Sequence, residues 1–343
     1  MSKSIIMIAA LGAGGGAALT AAAYSLRGDS KTKTSIPASA TTPDPTMTAS
    51  SPSAVLAKTN NSSSSSNPVD PSGLFQYGFP GPVADLATRS ALVSSYDRRT
   101  RNPHWVAEHM TAESLSRREG DRKGSVFVED ESVPASYRAL LKDYFRSGYD
   151  RGHQVPAADC KWSQSAMDET FYLTNICPQV GEGFNRDYWA HFEDFCRRLT
   201  DRYASVRVVT GPLYLPRRDP ADNKWYVKYE VIGSPPSVAV PTHFYKVIFA
   251  EGARPGDPVA LGAFVLPNAP IDNAKPITDF EVPLEAVERA SGLEFASKLP
   301  PQRRKRLCAD TTCSLIIRDY ADRQKAFAKG GNDKRVIAPS PKA

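Results

Sequence analysis

Between Gly28 and Pro71 the chain is written almost entirely in Ser, Thr, Pro, Ala and Asn, with an unbroken serine run from Ser62 to Ser66. Such a stretch cannot bury enough apolar surface to offset the entropy lost on ordering, so it reads as a flexible tether. That confines any fold to the residues on its C-terminal side. Phe75, Tyr77 and Phe79 stand together just past Leu74, where folding is expected to begin. After about Lys329 the composition returns to Gly, Lys, Pro and Ser, a loose tail. The expected organisation is a targeting or membrane-anchor segment over 1–27, a linker over 28–73, one folded domain over 74–328 and a flexible tail over 329–343. With 41% apolar residues, the chain can bury a sizeable core.

The segment from Ser4 to Leu26 carries no charge and has the length of a bilayer-spanning helix, about 20 residues. Its strong apolar residues are few: Ile5, Ile6, Ile8, Leu11, Leu19 and Leu26 among Ala and Gly. A signal-anchor or presequence-linked membrane helix, a signal peptide cleaved near Ala21 to Ala23, and a disordered leader all fit. Basic residues with no acid before Asp29 suit organelle import, although an Arg-rich amphipathic pattern is missing. A membrane or targeting role is favoured. The formal charge of +6 suits a polyanionic partner, since neutralising phosphates releases counterions, but inert proteins can be as basic. Five cysteines without a CxxC pair argue against a zinc site or a full disulfide framework. Reduced or buried thiols are the expectation, with a Cys308–Cys313 bridge as the lesser alternative.

From Leu74 to about Ala328, strand and helix signals mix without a repeat. Ser205 to Thr210 reads as a buried strand ending in a turn at Gly211-Pro212, and Lys224 to Ile232 alternates like a second. His243 to Phe249 and Gly262 to Leu266 supply two more. Helices are expected over Ser165 to Thr170, Arg186 to Tyr203, and Pro283 to Ser291 with Pro in its first turn. This order favours α+β over a doubly wound sheet. The run Arg303 to Arg306 could touch phosphate or serve in sorting, but a solvated helix or loop face is the better reading.

Three stretches carry candidate chemistry. In Tyr149-Asp150-Arg151-Gly152-His153-Gln154, a neutral imidazole is matched to deprotonating water near neutral pH. A lone histidine there is more often structural. Along Asn185 to Glu193, helical spacing would put Asn185, Trp189 and Glu193 on one face. An amide oxygen beside a carboxylate suits magnesium, which keeps several waters and takes few protein ligands. Taken alone, that stretch is more simply an amphipathic helix with a core tryptophan. Within Phe171 to Gln179, Asn175 could line a site or satisfy buried backbone.

Taken together, Asp150-Arg151-Gly152-His153, Thr174-Asn175, Pro178-Gln179, Asn185 and Glu193 resemble the DNA/RNA nonspecific endonucleases of the ββα-metal class, and most of all their mitochondrial endonuclease G branch. The resemblance runs from about Phe75 to Ala296 and includes Trp162-Ser163-Gln164, Thr210 to Leu213, Tyr226 to Tyr229 and Pro241 to Phe244. It implies a central antiparallel sheet flanked by helices, with a ββα-metal motif. It implies a magnesium-dependent endonuclease, with manganese substituting, that cuts DNA and RNA to leave 5′-phosphates. His153 would be the general base, Asn185 would hold the metal, Glu193 would support the metal-bound waters, Arg151 would contact phosphate, and Asn175 would help to order the site. Arg122 is a candidate second phosphate-binding arginine. A homodimer and a mitochondrial address, at the inner membrane facing the intermembrane space, are also implied. Two alternatives stand beside this reading. One is a catalytically silent nucleic-acid-binding protein on the same fold; the other is a secreted nuclease with a cleaved N-terminus.

Overall fold

A computed structural model describes residues 84–254 and 256–318 of the chain. The expected N-terminal segment, the linker, the first ten residues of the expected domain and the tail lie outside the described residues.

The strands are β1 (Asp85–Thr88), β2 (Leu92–Asp97), β3 (Asn102–Met110), β4 (Asp150–His153), β5 (Ile176–Gln179), β6 (Ser205–Leu213), β7 (Arg217–Arg218), β8 (Trp225–Tyr226), β9 (Val231–Ile232), β10 (Val238–Ala239), β11 (His243–Glu251), β12 (Val259–Pro267) and β13 (Arg304–Arg306). The α-helices are α1 (Ala112–Ser116), α2 (Leu141–Tyr144), α3 (Gln164–Glu169), α4 (Tyr188–Arg198), α5 (Leu284–Ser291) and α6 (Leu307–Asp310). A seven-stranded sheet runs in the order β1-β2-β3-β6-β11-β12-β13. It is antiparallel throughout except where β13 joins β12 in parallel. The fold is α+β, as expected.

Period-two alternation decides which side chains meet which layer. From β11, Phe244 and Ile248 join Val206 and Val208 of β6 and Phe264 of β12 beneath Trp189, Phe192 and Phe195 of α4. Tyr245 and Val247 point to the other face, where Leu284 and Val287 of α5 cover them. Helix α4 can lie flat there because Tyr188, Trp189, Phe192, Phe195 and Cys196 recur on one stripe and are all buried. Its outer face carries Asp194 and Arg198, paired four residues apart.

Four expectations are corrected. Strand β6 does not stop at Gly211-Pro212: both residues pair with β11, opposite Tyr245 and Phe244, so tertiary pairing overrides the local turn signal. The single strand expected over Lys224 to Ile232 is two short strands, β8 and β9, which pair with β7 and β10 instead of with each other. The basic run becomes edge strand β13, with Arg304 donating to the Ala296 and Leu299 carbonyls, Lys305 paired with Asp310 and Arg306 with Glu281. Finally, Cys308 and Cys313 form a disulfide, since α6 and the turn after it bring their Cα atoms to 5.2 Å; Cys160, Cys177 and Cys196 are free and buried.

Candidate active site

The sequence motif lies on a two-stranded antiparallel ribbon outside the main sheet. Strand β4 pairs with β5 in the register Asp150–Gln179, Arg151–Pro178, Gly152–Cys177 and His153–Ile176. Gly152 is required by close approach: a Cβ there would fall 2.0 Å from the Gln179 amide oxygen and 2.5 Å from its Cγ. Helix α4 follows β5 after a single π turn, completing a ββα unit.

His153 is 8% exposed and its Nε2 has no hydrogen-bond partner among the described residues. Its ring packs edge-on to Phe171, with centroids 4.7 Å apart, and tilted against Phe127 at 5.4 Å. Burial, reinforced by the nearby Arg122 guanidinium, pushes the imidazole from 6.5 down to about 3, so the ring is neutral at physiological pH. Arg151 is exposed, and its guanidinium covers the Phe127 ring at 4.3 Å. Arg122 covers Phe171 at 5.5 Å. Two cations therefore flank the aromatic pair that holds the neutral histidine.

Asn185 does not lie on the helix that carries Glu193. The backbone breaks at Glu182 and at Gly183, whose φ of +75° is a left-handed conformation suited to glycine, and Asn185 ends the π turn. The expected row of Asn185, Trp189 and Glu193 on one continuous helix is thus corrected, because α4 begins only at Tyr188. What orients Asn185 is Asp150. Asn185 Nδ2 donates to Asp150 Oδ2 at 2.8 Å, while Arg186 clamps both oxygens of the same carboxylate. That bond occupies the amide NH2 and leaves the oxygen without a donor among the described residues.

Glu193 is half-buried on α4. Burial pushes its carboxyl up to about 7, against the attraction of Lys246 and Arg197. Asn175 is fully engaged with backbone: its Oδ1 accepts from Val155 N, and its Nδ2 donates to the Val155 and Thr170 carbonyls. It fixes the chain on either side of the ribbon and offers no free polar atom.

The free amide oxygen of Asn185 is a hard donor of the kind taken by a mostly hydrated divalent cation, which needs few ligands from the protein. Sequence reading gave no role to Phe127, Phe171 or Lys246, and it took Asp150 only as part of the motif. Only Lys246 left a local sign, a charge at an inward position of an otherwise apolar alternating strand. The rest depend on pairings distant in sequence.

Fold and site define an α+β protein with a ββα active-site unit built around a histidine. A family model described as DNA/RNA non-specific endonuclease matches residues 70–302, and the chain belongs to that family. It is 58% identical over 286 residues to the mitochondrial nuclease of Saccharomyces cerevisiae, covering 82% of this chain and 86% of the relative. It is 50% identical over 226 residues to the mitochondrial endonuclease G of Homo sapiens, covering 66% of this chain and 74% of that one. Among solved structures, one from an EndoG/EndoGI complex matches with a TM-score of 0.63 at 48% identity, over 68% of this chain and 96% of that chain. The resemblance drawn from the motifs is thereby the family itself, with endonuclease G among the near relatives.

Proposed function

We propose that this protein is a magnesium-dependent endonuclease that hydrolyses phosphodiester bonds of DNA and RNA to leave 5′-phosphates. The observation that carries the reading is the pairing, on one ββα unit, of a buried neutral His153 with an Asn185 whose amide oxygen is turned free by Asp150. Asn185 would hold the ion and Glu193 would orient the waters around it. Magnesium, or manganese in its place, supplies Lewis-acid neutralisation of a nonbridging phosphate oxygen and of the leaving 3′-oxygen when bound.

His153 accepts the proton of the attacking water. With a resting value of about 3 it is a weak base, so proton transfer needs negative charge close by; the bound phosphodiester provides it and offsets Arg122. Arg151 and Arg122, fixed on Phe127 and Phe171, attract the backbone and stabilise charge that builds at the phosphorus. Asn175 keeps the ribbon in place. Contacts to phosphate carry no base information, which is why both sugars and all sequences are expected substrates.

The address proposed is mitochondrial, in keeping with the names of the yeast and human relatives. The segment 1–27 would hold the enzyme at the inner membrane facing the intermembrane space, with 28–73 as tether, 74–328 as the nuclease domain and 329–343 as tail. A homodimer is the proposed assembly.

Plasmid nicking by the full chain, with magnesium or with EDTA, tests the reading. Metal-dependent cutting that drops about 10²- to 10⁴-fold in His153→Ala is expected for loss of a general base. A folded wild type that binds nucleic acid and never cuts would replace it with the silent binding protein. Cutting that survives in His153→Ala would remove His153 as the base.

A further inference from the structure

A surface turn, residues 145–148, leads from α2 into the catalytic strand β4. Two tyrosines anchor it: Tyr144 before it is buried, and Tyr149 after it donates to Glu230 at 2.7 Å. Bonds from Phe145 N to the Lys142 carbonyl and from Ser147 N to the Tyr144 carbonyl, both 3.2 Å, close the backbone. At the tip Phe145 is 72% exposed, more than any other large apolar side chain among the described residues. A lone apolar residue in water is ordinary, and three neighbouring observations set this one apart. Its ring is backed by the Arg146 guanidinium, 5.0 Å from the ring centre. Arg146 itself has a φ of +56°, a left-handed conformation that glycine adopts freely and a residue with a side chain does not, so a charged side chain is kept here at a cost to the backbone. Finally, the tip is electrostatically one-sided. Lys142 and Arg146 are exposed and make no ion pair among the described residues. The acids of this stretch are engaged: Asp143 accepts from Leu140 N, Asp150 is clamped by Arg186, and Glu230 holds Tyr149.

An aromatic ring with an open face beside uncommitted cations is the combination that takes single-stranded nucleic acid, bases on the ring and phosphates on the charge. The turn also stands beside the candidate active site. Five residues separate Phe145 from Asp150, which orients Asn185, and that much chain spans at most about 18 Å, or about five nucleotides at 3.4 Å each. We propose that Phe145 and Arg146 form a substrate-binding element for a single-stranded stretch flanking the cut, in which Phe145 stacks on an unpaired base and Arg146 meets an adjoining phosphate. The proposal rests on the nuclease reading above and adds a preference to it. Bases inside a duplex already stack on both sides and offer the ring no face, whereas an unpaired base does.

The test measures binding by the full chain in EDTA, where a metal-dependent enzyme leaves its substrate intact. The probes are a labelled single strand of about 12 nucleotides, long enough to reach from Asn185 past the tip, and a duplex of the same length. Phe145→Ala should raise the single-strand Kd relative to the duplex Kd by about 5- to 100-fold, the effect of one lost base–aromatic stack. Phe145→Tyr, which keeps the ring, should hold the wild-type ratio. Arg146→Gly, which suits the backbone there, should lower the salt slope of single-strand binding by about 0.7, one phosphate contact. With magnesium, the Phe145→Ala factor should reappear in KM for the single strand. Equal losses on strand and duplex, or no loss on either, would overturn the stacking, and an unchanged salt slope would overturn the phosphate contact. Unchanged affinities together with a shifted monomer–dimer equilibrium would overturn the proposal by making the tip an interface between copies of this chain. Should Phe145→Ala lower Tm, Phe145→Leu takes its place, apolar without a ring, and the same ratio decides. A wild type that binds the strand and never cuts with magnesium would refute the nuclease reading, and the metal-free ratio would still decide the stacking.

Discussion

Asp150 accepts from Asn185 and from Arg186 at once, so one carboxylate both turns the amide and neutralises itself. Changing it to Asn removes the charge and makes the same site compete for its own donors. Asp150→Asn is expected to raise the magnesium concentration for half-maximal nicking by about 10- to 100-fold, the size typical of lost support behind a metal ligand. An unchanged midpoint would show that Asn185 needs no such support. A second expectation concerns pH. His153 is held near 3, too low to limit activity in the neutral range, whereas Glu193 is held near 7. The acid limb of kcat/KM, which reports the free enzyme, should therefore track Glu193, and more magnesium should move it to lower pH because a nearby cation favours the ionised carboxylate. A limb that ignores magnesium would reassign it to another group. At this scale the sequence named most of the participants. It could not name Asp150 as the holder of Asn185, because their contact joins positions 35 apart in the chain.

Ribbon and turn decide the geometry that single residues exploit. Gly152 lets the Gln179 side chain cross β4, so Gly152→Ala must expel that side chain or part the strands. The expected cost is about 1–3 kcal/mol, the usual range for overpacking a filled site, read as a lower urea midpoint with reduced nicking. Adding Gln179→Ala should recover part of the stability; no recovery would place the strain elsewhere. At the other end of the fold, Cys308–Cys313 closes a short loop that anchors α6 beside β13. Loop-closure entropy for so few residues gives about 2 kcal/mol, so Cys308→Ser should lower Tm by a few degrees and leave magnesium-dependent cutting intact. Elements with a clear apolar period, such as β11, β12 and α4, were legible from sequence. The break at Glu182 and Gly183 was not, because a helical spacing of side-chain types persists across a backbone that is not helical there.

For the molecule as a whole, opposing buried groups shape stability against pH. His153 and His243 are pushed down from 6.5 to about 3 and about 4 by burial, so below 6.5 the unfolded chain takes protons that the folded chain refuses, and stability falls as pH falls. Glu193, raised from 4.5 to about 7, and Glu108, raised well above 4.5, act in the other direction: between 4.5 and their folded values the native state holds the extra protons. The acids therefore oppose the histidines between pH 6.5 and 4.5. Below 4.5 both acids are protonated in either state and the histidines act unopposed. Asp130, held low by its bonds to Thr174 and Ser132 despite its burial, adds to the loss. The urea midpoint in EDTA should thus fall less steeply from pH 6.5 to 4.5 than from 4.5 to about 3. A steep fall that already starts at 6.5 would show that the buried acids do not offset the histidines.

By itself the sequence determined the apolar alternation and helical stripe that build the core and the membership of the family, because each is a local pattern or a residue identity. Only the tertiary structure decided where β6 ends, that Asn185 stands off the helix, that Asn175 serves the backbone, that Cys308 meets Cys313, and that Lys246 is buried against Thr210, Gln154 and Trp189. Those outcomes depend on which distant groups satisfy a buried charge, a free amide or an open strand edge. Such pairings are set by the packing of layers and leave no period along the chain.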